Sequence, residues 1–141
     1  MLIALPLILL AYAGCLKTND SASKSNMDYL TASAWYLKAF RYDIAINGTV
    51  DYSYPPDNCE ADDKYSFSAD NSLLFDPGAK LCHLEESVVS RAWTISPADT
   101  KLSFGGSTYT IKTLNDSLMT LSYDTTETGT RYRAYIDFQH K

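Results

Sequence analysis

The chain has 141 residues, of which 45% are hydrophobic and 21% are charged, and its formal net charge is -5 at pH 7. This length suits one domain built around one hydrophobic core. Because the chain is acidic and its Lys and Arg residues are scattered singly, it offers no basic stripe for nucleic acid and no basic patch for an anionic membrane surface.

The chain begins with an uncharged, apolar stretch at residues 1–14, which ends at Cys15 and is followed by polar residues. This stretch is too short to span a bilayer as a helix, since a span takes about 20 apolar residues. The small residues Ala13 and Gly14 before Cys15 are typical of a lipobox, where a signal peptidase cleaves before a lipid-bearing cysteine. We therefore predict a lipoprotein signal peptide at residues 1–14, a lipidated Cys15 and a flexible tether at residues 15–27.

After a short helical turn predicted at residues 28–32, apolar residues recur with period two in short runs separated by turn residues. This pattern predicts β-strands joined by hairpins. The first run, residues 34–46, changes parity near Ala39, which indicates a β-bulge. A looser turn is expected at residues 124–129. The alternation places a set of aromatic residues on one face of the strands: Trp35, Tyr65, Phe67, Phe75, Trp93, Phe104, Tyr109, Tyr123, Tyr132 and Phe138.

About eight strands follow one another through short connections, which predicts an all-β fold with an antiparallel up-and-down meander at residues 28–141. Eight strands with one apolar face remove their exposed edges by closing into a barrel. An open sandwich is the rival architecture, and it would need long crossover connections. The long links in the chain are residues 47–63 and residues 77–87.

These two links carry Cys59 and Cys82. If Cys15 is lipidated, the other two cysteines remain as a pair, and in an oxidising compartment we expect them to form a disulfide. Such a bond would tie two loops at a common end of the barrel. The alternative is two free, buried thiols.

A series of short segments occurs in a characteristic order and spacing over residues 28–141. They are Leu30, Ala34-Trp35-Tyr36-Leu37, Cys59-Glu60-Ala61-Asp62-Asp63-Lys64-Tyr65-Ser66-Phe67, Cys82, Ala92-Trp93-Thr94-Ile95, residues 101–111 and residues 118–123. Through these segments the chain resembles the lipocalin-like lipoproteins of Bacteroidota. The resemblance implies a calycin-type β-barrel in the cell envelope, attached to the outer membrane by lipid and facing the periplasm or the exterior. It implies no catalytic residues.

The residue types needed for catalysis or metal binding are few. His83 and His140 are the two imidazoles, and neither lies in a pattern with a nucleophile. The acidic run that contains Asp57, Glu60 and Asp62 lacks the glycine and the spacing of an established calcium loop. We therefore predict no enzyme activity, no cofactor and no metal site.

The inward aromatic face has two interpretations. It lines a pocket for a small apolar or anionic ligand, or it fills the barrel and leaves the outer surface to contact an envelope protein or a glycan. A connected cavity of about 300 Å³ or more would favour the ligand. For the surface role the exposed candidates are Tyr52, Tyr54, Pro55 and Pro56. For the ligand role the predicted lining residues are Trp35, Tyr65, Phe67, Arg91, Trp93 and Tyr109.

Arg91 is the most informative of these lining residues, because strict alternation places it between Val89 and Trp93 on the apolar face. A guanidinium there would bind an anionic ligand, pair with an internal acid such as Asp43, or reach the rim with its charge in water. Placement at the rim is favoured.

Overall fold

The structure is a computed structural model, and it describes residues 23–84 and 86–141. The predicted signal peptide and Cys15 lie outside these residues. No helix in the described part of the chain is long and apolar enough to cross a membrane. In chain order the elements are α1 (Asn26–Thr31), β1 (Trp35–Asp43), β2 (Tyr52–Tyr54), β3 (Lys64–Phe67), β4 (Ser72–Asp76), β5 (Val89–Ile95), β6 (Lys101–Phe104), β7 (Ser107–Leu114), β8 (Leu118–Glu127) and β9 (Thr130–Gln139).

The strands form an antiparallel meander that closes on itself. From β3 onwards each strand pairs with the next one in the chain, and β9 pairs with β1 to complete an eight-stranded barrel. The other edge of β1 is shared, because β3 pairs with its first residues and β2 pairs with Phe40–Tyr42. The predicted all-β, eight-stranded, antiparallel barrel is confirmed, and the sandwich is wrong.

Three local features extend or correct the predicted elements. The parity change in β1 is a bulge between Leu37 and Ala39, as predicted. Tyr52–Tyr54, which lies in a predicted link, forms strand β2. The predicted loose turn at residues 124–129 is mostly strand, because β8 continues to Glu127 and the chain reverses at Thr128 and Gly129, both with positive φ.

The alternating strand directions give the barrel two ends. The end that carries α1 also carries the β3–β4, β5–β6 and β7–β8 turns, and we call it the closed end. The opposite end carries the β6–β7 and β8–β9 turns and the two long loops with the cysteines, and we call it the open end.

The closed end is filled by side chains. A capping box between Ser25 and Asp28 starts α1, whose Leu30 is fully buried in the barrel. The indole of Trp35 is also fully buried and donates a hydrogen bond of 3.1 Å to the Leu30 carbonyl. His140 packs on the Trp35 ring with 3.8 Å between centroids, so this histidine has a structural place at the chain end.

Candidate functional site

A cavity of about 210 Å³ lies at the open end of the barrel. Strands β3 to β7 provide its wall, because their inward-facing side chains converge there. This volume is below the roughly 300–1,000 Å³ of pockets for drug-sized ligands, but it exceeds the about 150 Å³ that accommodates benzene in an engineered apolar cavity. The cavity is lined by Tyr65, Leu73, Phe75, Arg91, Phe104, Gly105 and Tyr109.

The aromatic walls of the cavity contact one another through their edges and faces. The Tyr65 ring lies 5.2 Å from Phe75 and 5.3 Å from Phe138, measured between centroids. Phe104 and Tyr109 are 5.0 Å apart. Contacts of this geometry are favourable beyond simple burial, so they hold the rings in fixed positions around the cavity.

Arg91 lies where the cavity meets solvent. Its guanidinium is 5.9 Å from the centroid of the Phe75 ring. It also lies over Gly105, where an added Cβ would be 3.3 Å from Arg91 Nη1. Within the described residues no carboxylate forms an ion pair with Arg91. The guanidinium therefore offers its N–H donors to the mouth of an otherwise aromatic cavity.

Asp43 is not the partner of Arg91, although it is fully buried. Its two carboxylate oxygens accept hydrogen bonds from the backbone N–H groups of Asn47 and Gly48, at 3.1 Å and 2.7 Å. These bonds fix the loop that follows β1. The proposed internal pair between Arg91 and Asp43 is therefore wrong, and Arg91 occupies the rim.

The Tyr65 hydroxyl keeps its proton at neutral pH. Burial raises the pKa of Tyr65 well above its usual value, the nearby carboxylates of Asp63 and Glu60 raise it further, and Arg91 lowers it. A protonated phenol can donate a hydrogen bond. The cavity thus combines apolar rings with a cation and a neutral hydroxyl donor.

The two long loops meet beside the cavity. Cys59 and Cys82 lie at disulfide distance, with their Cα atoms 5.1 Å apart. Asp62 crosses between the loops, and its Oδ2 accepts the backbone N–H groups of Ala79 and Lys80. Gly78 passes so close that an added Cβ would be 2.6 Å from the Asp62 carboxylate. The cross-link and these hydrogen bonds together define the shape of the loops.

Asp63 is a buried carboxylate in this region, and other carboxylates lie close to it. It is 8% exposed. Burial raises its pKa to about 6, and the carboxylates of Glu86, Glu60, Asp62 and Asp76 add to the shift. The neighbouring Asp62 behaves in the opposite way, since the N–H donors of the second loop lower its pKa.

Three of the six predicted lining residues lie at the cavity, and three do not. Tyr65, Arg91 and Tyr109 line it. Trp35, Phe67 and Trp93 face inward as expected, but they are buried deeper in the packed core. The Trp93 indole is occupied there, because it donates to the carbonyls of Ser68 and Ser72 at 3.1 Å. Their prediction as ligand contacts is therefore corrected.

The cavity residues that the prediction missed are Leu73, Phe75, Phe104 and Gly105. The sequence signal for Phe75 and Phe104 was present, since alternation places both on the inward face. Alternation does not show how far along the barrel axis each residue lies, because it assigns a side chain only to the inward or the outward face.

The described residues hold no group of three or more His, Cys, Asp and Glu side chains arranged to bind a metal ion. His83 is exposed in the loop after Cys82. No protein-family model matches the chain, and a search of curated proteins finds no match either.

Proposed function

We propose that this is a lipid-anchored protein of the cell envelope, similar to lipocalin-like lipoproteins, whose barrel binds a small organic anion at its open end. The observation that carries the proposal is Arg91, a guanidinium without an ion-pair partner among the described residues, at the mouth of an aromatic cavity. An anion there would gain charge-assisted hydrogen bonds from Arg91 while its apolar part contacts the rings.

The cavity volume limits the size of the ligand. About 210 Å³ is less than the roughly 300 Å³ expected for a general apolar ligand, and the barrel below the cavity is packed. The ligands that this volume suits are monocarboxylates with one ring or a short alkyl chain, such as benzoate or hexanoate.

The position of α1 supports an anchored role. α1 begins at Asn26, so the last two residues of the predicted tether are helical, and it lies at the closed end. A lipid on Cys15 would therefore be attached at the end of the barrel opposite the mouth of the cavity.

The test is isothermal titration calorimetry of the purified full chain with benzoate and with its uncharged analogue benzyl alcohol. For about nine non-hydrogen atoms we expect benzoate to bind with a Kd of about 0.1–1 mM. Arg91→Met should weaken benzoate about tenfold, because a hydrogen bond to a charged group is lost. Benzyl alcohol should bind more weakly than benzoate and be unaffected by the substitution.

Arg131→Met is the matched control, since Arg131 is exposed at the same end and pairs with Asp124. It removes the same charge from the same region without touching the cavity, so benzoate binding should be preserved. If both substitutions weakened benzoate binding equally, the loss in Arg91→Met would come from the change in overall charge and not from a contact in the cavity. Failure of benzoate and hexanoate to bind the unmodified protein would refute the proposal.

A further inference from the structure

A second feature of the open end lies on strand β2, outside the cavity. Tyr52 and Tyr54 project from the same side of β2, and each is 54% exposed. Their ring planes differ by 14°, and their centroids are 6.4 Å apart. Two large, parallel aromatic rings are therefore presented together to solvent.

The exposed pair is continuous with two further tyrosine rings. The Tyr54 ring contacts Tyr42 at 6.1 Å, and Tyr42 contacts Tyr132 at 5.8 Å, both between centroids. The Tyr132 hydroxyl donates to the Glu127 carboxylate at 3.2 Å. We call Tyr52, Tyr54, Tyr42 and Tyr132 the tyrosine row. Because these contacts already restrict the Tyr54 ring, and Tyr54 in turn packs against Tyr52, less side-chain entropy would be lost on binding.

The area of the exposed pair suits a small ligand. An aromatic side chain has about 150–250 Å² of surface, so two half-exposed rings present about 200 Å² in total. A stable protein interface takes about 800 Å² from each partner. The pair is thus too small to hold a protein partner on its own, but it suits ring-by-ring contact with a narrow chain.

The arginines next to the tyrosine row are already paired with carboxylates. Arg41, Arg131 and Arg133, the strand neighbours of Tyr42 and Tyr132, form ion pairs with Asp137 or Asp124. Asp51 and Glu127 lie at the two ends of the row. An anionic ligand would therefore meet acidic residues at both ends and arginines that are already paired. What fits is an uncharged ligand with flat apolar faces and a rim of hydroxyl groups, because its faces match the rings and its hydroxyls match the phenols and carboxylates.

A sugar ring has this chemistry. We propose that Tyr52 and Tyr54 form a binding site for an uncharged glycan, whose pyranose rings lie on the two tyrosine faces. The site is separate from the anion cavity, since Tyr52 and Tyr54 are not among the residues that line the cavity.

The test is saturation-transfer difference NMR of the full chain with four uncharged probes: maltohexaose, cellohexaose, laminarihexaose and hexa-N-acetylchitohexaose. We expect transfer to the C–H protons of the pyranose rings for at least one of these probes. Tyr52→Ala and Tyr54→Ala should each lower the affinity for that probe about fivefold, since each removes one ring face. Tyr52→Phe and Tyr54→Phe should keep most of the affinity, because they preserve the ring faces and remove only the hydroxyls.

Leu84→Ser is the matched control. Leu84 is 97% exposed in the loop at the same end, so its substitution removes apolar surface without changing the tyrosine row. The glycan signal should be unchanged in this variant and in Arg91→Met. The proposal is overturned if no probe shows transfer, if Leu84→Ser weakens binding as much as Tyr52→Ala does, or if the tyrosine substitutions instead dissociate a protein dimer.

Discussion

The two ends of this barrel are built from the same alternating strands, yet they are held together differently. At the closed end α1 enters the lumen, and Leu30 and Trp35 are completely removed from solvent. At the open end the strands stop at different heights, since β3 and β6 have four residues and β8 and β9 have ten. Two long loops lie there, and the side chains of the loop with Cys82 are mostly exposed while those of the loop with Cys59 are mostly half-buried.

The difference shows how one fold combines a packed core at one end with a cavity at the other. Close packing at the closed end gives dispersion and hydrophobic stabilisation that tolerates little change. The open end contains a cavity and therefore lacks part of that packing. A covalent cross-link, the aromatic contacts and backbone hydrogen bonds to Asp62 take its place.

The largest expected effect lies at the closed end. Trp35→Ala removes a fully buried indole and its hydrogen bond to Leu30, so we expect a loss of about 3–5 kcal/mol in the free energy of unfolding. Urea titration followed by far-UV circular dichroism would measure it. At the open end, Phe75→Ala empties part of a cavity wall that already borders free space, and it should cost about 1–2 kcal/mol. Equal costs would contradict the contrast between the two ends.

The next effect tests the cross-link. Replacing Cys59 and Cys82 with Ser opens a loop whose ends are separated by 23 residues in the chain. The chain-entropy relation gives a loss of about 3 kcal/mol. Hydrogen exchange should locate the effect, because amides in residues 57–63 and 77–88 should lose protection while those of β8 and β9 open only with global unfolding. Loss of protection that begins at the closed end would contradict this account.

Much of the fold follows from local sequence pattern, and the exceptions have local causes. The parity of Trp35 and Leu37 against Phe40 predicts the bulge in β1, and the structure contains it. The β8–β9 hairpin is longer than predicted because Asp124, a residue typical of turns, accepts hydrogen bonds from Arg131 and Arg133 on the facing strand. A cross-strand pair of this kind cannot be predicted from the sequence until the register of the two strands is known.

The site was harder to predict than the fold. Alternation identifies Arg91 and Trp93 as neighbours on the inward face, but it does not say which of them reaches the mouth. That depends on the stagger of the strands and on α1, which occupies the closed end and buries Trp35. Strand β2 escaped prediction because three residues before Pro55 and Pro56 carry too little periodicity.

The smallest expected effect concerns Asp63 and has a defined pH dependence. Its pKa in the folded protein is about 6, above the ordinary 3.8, so the folded state binds this proton more tightly than the unfolded state does. Stability from this group is therefore fully present below about pH 4 and is lost as the pH rises through about 6. Asp63→Asn should be more stable than the unmodified protein by about 1–2 kcal/mol at pH 8 and equal to it at pH 4.

Urea midpoints of both proteins at pH values from 4 to 8 would measure this difference, and the adjacent Asp62 provides the control. Because N–H groups of Ala79 and Lys80 lower the pKa of Asp62 below its ordinary 3.8, Asp62→Asn should be destabilising by a nearly constant amount from pH 8 to pH 4. Opposite signs for two neighbouring aspartates would show that the cohesion of the open end depends on where each carboxylate points. A stability difference for Asp63→Asn that is constant from pH 4 to pH 8 would mean that this side chain acts through packing instead of charge.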